Sequence, residues 1–119
     1  MRFNLLLITV SLCIFSLAST AVYADRYSAS EVQKLIKETE EKLESVKSDG
    51  AESYAPKEVT RIEDYIKEAK KQLEENERDI AYYEINKALA FFKLISAKKE
   101  LLDAETSLKN IQDIKNNLR

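Results

Sequence analysis

The chain has 119 residues, with 19 Lys plus Arg against 21 Asp plus Glu for a formal charge of −2. It has no His and no Trp, and one each of Gly, Pro and Cys. These absences exclude a Cys/His zinc site, a Ser-His-Asp triad, a Cys-His nucleophile pair and an intramolecular disulfide, and one glycine cannot build a phosphate-cradling loop. The slight negative charge and scattered lysines leave no basic stripe for nucleic acid.

The N-terminus reads as an export address. Met1-Arg2 is a short positive region, Leu5 to Leu17 an apolar core, and Val22-Tyr23-Ala24 matches the small-residue rule for cleavage. The expected division is a signal peptide over 1–24 and a helical domain over 25–119, in a bacterial protein that is periplasmic or secreted. The alternative is an uncleaved anchor, because Leu5 to Ala24 is about as long as a bilayer span. Cys13 does not fit lipoprotein acylation, since Leu12 is too large for that cleavage. The remaining domain carries no cysteine and is near the size where a single core just suffices.

Beyond Ala24 the chain predicts three helices, over about 29–48, 56–75 and 79–117. Ser28-Ala29-Ser30-Glu31 is a capping box that starts the first, and Val32, Ile36, Thr39, Leu43 and Val46 step by four and three along one face. Gly50, free to adopt positive φ, ends it. Pro56 suits the first position of the second helix, where its missing N–H costs nothing, and Val59, Ile62, Ile66, Ala69 and Leu73 form its stripe. Asn76 is the expected left-handed residue of the next turn.

The third helix carries two stripes. From Ile80 to Ala97, 13 of 18 residues are apolar, too many for one face. Ala81, Ile85, Ala88, Phe92 and Ile95 form the first stripe, which stops at Lys98-Lys99. Tyr83, Ala90, Leu94 and Ala97 lie nearly opposite and continue through Leu101, Ala104, Leu108, Ile111 and Leu118. A helix apolar all round is central in its domain or shared with another chain. The expected fold is all-α, a three-helix up-down-up bundle with a long third helix. The second helix would lie on the first stripe and the first helix near the second stripe. The alternative is a long antiparallel hairpin, in which the first helix pairs with residues 101–119.

Ala51-x-x-Tyr54-Ala55-Pro56-x-x-Val59, then Ile66, Ala69 and Leu73, a turn, and Ala81 with Ala88 resemble an uncharacterised family of small alanine-rich helical bacterial envelope domains. That family is a domain of unknown function often found ahead of an OmpA-like peptidoglycan-binding domain. The resemblance runs from Ala51 to Leu102 and implies a helical envelope module. Ile62 stands where the family usually has alanine, and Asn76 where it usually has glycine.

Other patterns imitate chemistry. Ser96-Ala97-Lys98-Lys99 fits S-x-x-K, the nucleophile motif of penicillin-binding enzymes, but the companion motifs and an oxyanion cleft are missing. Glu40, Glu41 and Glu44 are interleaved with Lys37, Lys42 and Lys47 and read as a solvated face rather than a cation site. Glu38–Lys42, Glu63–Lys67 and Glu105–Lys109 are spaced for ion pairs that support a helix. No catalytic residue, metal or cofactor is implied. Adjacent helical residues point about 100° apart, so the doublets Tyr82-Tyr83 and Phe91-Phe92 cannot all enter one core.

The favoured function is a non-catalytic interaction or scaffolding module of the cell envelope that binds itself or another envelope protein. The candidate protein-binding residues are Tyr82, Tyr83, Phe91, Leu94, Leu101, Leu108, Ile111 and Leu118. Contact with a membrane would come only through an uncleaved leader. The alternative is a periplasmic chaperone-like or small-ligand carrier with an apolar groove between helices.

Overall fold

The computed structural model describes residues 26–119, so the expected leader lies outside the described residues. The regular elements in that span are all helices: α1 (Ala29–Ser48), α2 (Ala51–Tyr54), α3 (Pro56–Glu74) and α4 (Arg78–Asn117). The four-residue α2 is an addition to the three helices expected from sequence.

Local chemistry sets each boundary. The backbone N–H of Glu31 donates to Ser28 Oγ at 3.1 Å, and the backbone N–H of Ser28 donates to the Glu31 carboxylate at 2.8 Å. The bond from the Ser28 backbone N–H is the main reason the Glu31 carboxyl lies below its ordinary pKa, and the Ser28 side chain adds to it. Gly50 at φ 88° reverses the chain into α2. Ala55, ahead of Pro56, is pushed out of helical geometry to φ −139°, which stops α2 after one turn. Asn76 at φ 63° closes α3 in a Schellman turn: its N–H donates to the Leu73 carbonyl at 3.1 Å, and that of Glu77 donates to the Gln72 carbonyl at 2.8 Å.

Contacts between helices fix their directions. Tyr27, just ahead of α1, stacks on Tyr82 of α4 with centroids 3.6 Å apart, and Lys42 Nζ lies 4.9 Å from the centre of the Phe92 ring. Residue numbers therefore rise together along α1 and α4. Lys47 meets Glu63 at 2.6 Å, and Lys70 pairs with Glu40, so α3 runs against α1. Tyr65 packs on Phe91 and Glu58 pairs with Lys98 at 2.8 Å, so α3 also runs against α4.

The core lies where these helices meet. Val32, Ile36 and Leu43 of α1, Val59, Ile62, Ile66 and Ala69 of α3, and the complete first stripe of α4 are buried. Ala51 and Ala55 at the corner are fully buried too. Among the described residues Thr39 is the buried polar one, and its hydroxyl donates to the Leu35 carbonyl at 2.7 Å. Ala69, Ala81 and Ala88 are fully buried as well, small side chains that suit a close-packed interior.

Two expectations are corrected. The first helix does not lie near the second stripe: α1 joins α3 over the first stripe, and Tyr83 and Leu94 stay exposed. A narrow stripe on α1 is buried most fully in the groove between two helices, where it serves both at once. The hairpin alternative also fails, because residues 101–119 are exposed throughout and α1 lies elsewhere. Ion pairing differs in detail as well. Glu38 pairs with Lys34, and Glu63 with Lys47 of another helix. Exposed pairs differ too little in energy for sequence spacing to choose among them.

Candidate protein-interaction surface on the long helix

Two sides of α4 have opposite fates. Ala81, Ile85, Ala88, Phe92 and Ile95 are each at most 4 % exposed. Two residues on from such a position the helix has turned about 200°, so Tyr83, Leu94 and their successors point away from α1 and α3. Leu94 is 49 % exposed, Leu101 60 %, Leu108 58 %, Ile111 63 % and Leu118 82 %. These five candidates form one row along the helix.

The aromatic candidates divide. Tyr82 is partly buried by its stack on Tyr27, and Phe91 is partly buried against Tyr65. Both are engaged within the fold. Burial raises the pKa of the Tyr27 phenol, and its hydrogen bond with Tyr82 adds to that. Tyr83 remains exposed. Lys87 Nζ lies 5.2 Å from its ring centre and 4.8 Å from that of Tyr65, bridging α3 and α4 through their aromatic faces. A 2.6 Å ion pair with Glu84 holds the Lys87 ammonium, and that bond is the main reason its pKa is raised.

Sequence reasoning missed Leu102 and Ile114, which are 43 % and 60 % exposed. Leu102 lies seven residues after Ile95 and resumes the first stripe beyond Lys98-Lys99, a recurrence visible in the spacing. From residue 99 to 119 every position is exposed. At 1.5 Å per residue α4 is about 60 Å long, twice the length of α3, and close to 28 Å of it projects past the bundle.

The remaining surface offers less. A groove of about 590 Å³ between α1 and α3 has Leu43 and Ile66 among its lining, but Glu40, Glu44, Glu63, Lys67 and Lys70 surround them. Ser96 and Lys99 are both exposed. Among the described residues no helix is long and apolar enough to cross a membrane. No family model, curated protein or solved structure matches this chain.

Proposed function

We propose that the chain is a non-catalytic helical interaction or scaffolding module of the bacterial cell envelope, exported by a cleavable leader, and that it works through the outward face of α4. In this reading α1, α3 and α4 form an up-down-up bundle, α2 is its corner, and the distal half of α4 is the binding element. The carrying observation is that the chain stays helical to Asn117 with every position from 99 onward exposed, while keeping leucine and isoleucine at three- and four-residue spacing. Exposed apolar rows of this kind mark interaction sites. The resemblance to alanine-rich envelope domains points the same way, and its alanines at Ala51, Ala55, Ala69, Ala81 and Ala88 are the fully buried ones. The carrier reading has less support, because seven of the nine residues that line the α1–α3 groove are charged, which leaves only Leu43 and Ile66 as apolar side chains there.

The test is photo-crosslinking in living cells from positions 101 and 108, with Lys34 on the exposed side of α1 as control and mass-spectrometric identification of the products. A defined protein product, made from α4 positions and not from Lys34, is expected. Products that do not depend on position, or none from α4, would overturn the reading.

A further inference from the structure

An interaction module needs an occupant for α4, and the pattern along that face is specific enough to choose one. We infer that two copies of this chain pair through α4 as an antiparallel coiled coil, with Leu101 of each facing Ala104 of the other; this rests on the interaction-module reading.

The repeat comes first. Leu94, Leu101 and Leu108 recur every seven residues, and Ala97, Ala104 and Ile111 recur three residues behind them, out to Leu118. Together they form the a and d rows of a coiled coil, and a strict seven-residue interval favours a left-handed supercoil with a partner helix. Those rows are solvent-exposed at their large residues.

Charge then selects the orientation. In a parallel, in-register pair the residues flanking the seam place Lys93 against Lys98 and Glu100 against Glu105 of the other copy, and all these contacts repel. In an antiparallel pair centred between residues 102 and 103, Lys98 of each copy instead meets Glu105 of the other, so both contacts attract. Lys98 is bonded to Glu58 within its own chain, yet its side chain is 44 % exposed and open to a second carboxylate. Sliding the antiparallel pair by one repeat sets Glu105 against Glu105, or Lys98 against Lys98. Of these three antiparallel registers, the centred one alone has no like-charge contact among these four residues.

Size agrees with charge. The centred register stacks Leu101 on Ala104, Leu108 on Ala97, and Leu94 on Ile111. The middle layers each match a large side chain with a small one, which fills a close-packed seam. Area agrees as well. The exposed parts of the five large residues of this row amount to about 100 Å² each, so the pair removes up to about 1,000 Å² from water, the lower bound for a specific interface. Among the described residues nothing obstructs the approach, because α1 and α3 occupy the opposite side of α4. The antiparallel arrangement sends the two bundles to opposite ends, and each projecting segment lies along the outer side of the other bundle.

Sedimentation equilibrium of the exported chain purified from cells should give a dimer. Glu105→Lys should weaken it about tenfold with helix content unchanged, and mixing with Lys98→Glu protein should restore association. A parallel pair would respond in the opposite sense, tightening on Glu105→Lys, and that result would overturn the register. Mixing Leu101→Cys protein with Ala104→Cys protein in a glutathione redox buffer should yield chiefly the mixed disulfide; a predominance of the two like disulfides would overturn it too. A monomer up to about 1 mM would overturn the pairing of copies altogether. The interaction-module reading is then decided separately, because crosslinking from position 101 to a different protein sustains it and no product at all ends it.

Discussion

Lys98 Nζ meets Glu58 Oε1 at 2.8 Å, and from the next residue onward every position of α4 is exposed. This ion pair joins the first turn of α3 to the point where α4 leaves the bundle. Glu58 is well placed twice over: its carboxylate faces the ammonium, and it sits at a helix N-terminus, where negative charge is favoured. The bond from Lys98 is the main reason its carboxyl titrates below the ordinary range, against the opposing effect of burial. Its Oε2 is buried without a hydrogen-bond partner, so the contact depends on one oxygen.

The sign of the pH effect follows. A carboxyl whose pKa is lower in the folded state stabilises the fold above its unfolded pKa, and the effect fades as pH falls through the lowered value. Glu58→Gln should therefore lower stability at neutral pH, and the gap from the parent protein should close under acid. Urea midpoints at a series of pH values read this directly. A gap that stays constant into acid would show that Glu58 contributes by packing rather than by charge.

Phe92 is 4 % exposed, one step before Ile95 at the end of the buried stripe, with Lys42 over its face. Phe92→Ala should cost about 3–5 kcal/mol through lost burial and the cavity left behind. Urea unfolding followed by far-UV circular dichroism should show a large fall in midpoint. Most of the stability of so small a domain would be lost with one side chain.

At Gly50 backbone and packing can be separated. A Cβ there would meet Ser53 Oγ at 3.8 Å, an ordinary contact, so space is not the constraint. The positive φ is. Gly50→Ala should cost about 1–2 kcal/mol, and Gly50→Asn clearly less, because asparagine tolerates the left-handed region. Thermal melts of the two variants check the order.

Leu108→Glu combined with Ile111→Glu should leave the melting temperature of the monomer nearly unchanged, since both side chains are already in water. The same double change should abolish association through α4. Sedimentation and melting measured on one preparation separate these effects.

Much of this fold can be read from spacing. Ser28 with Glu31, Gly50, Pro56 and Asn76 each mark a boundary by local backbone chemistry, and all four occur where that chemistry requires. The buried face of α4 is legible for the same reason, because Ala81 to Ile95 recur at helical intervals. The side of α4 taken by α1 is not. Periodicity shows which residues of a helix avoid water, but the direction of return depends on the corner, and there Ala51 to Tyr54 add a turn of helix that pattern alone does not signal. Tyr82 escaped for a similar reason: its partner Tyr27 lies 55 positions away in sequence, ahead of the first predicted helix. The exposure of Leu101, Leu108 and Leu118 is legible more simply, since no part of α3 is long enough to reach them.

The unbroken course of α4 through Lys98 has a mechanical consequence. With no Gly or Pro between bundle and projecting segment, the two share one torsional phase, and whatever the distal face holds is set at a fixed angle to α1 and α3. Deleting one residue near Lys99 would turn that face by about 100° and draw it in by about 1.5 Å, whereas deleting seven would shorten the arm by about 10 Å and nearly keep its heading. The helix thus acts as a protractor as well as a spacer.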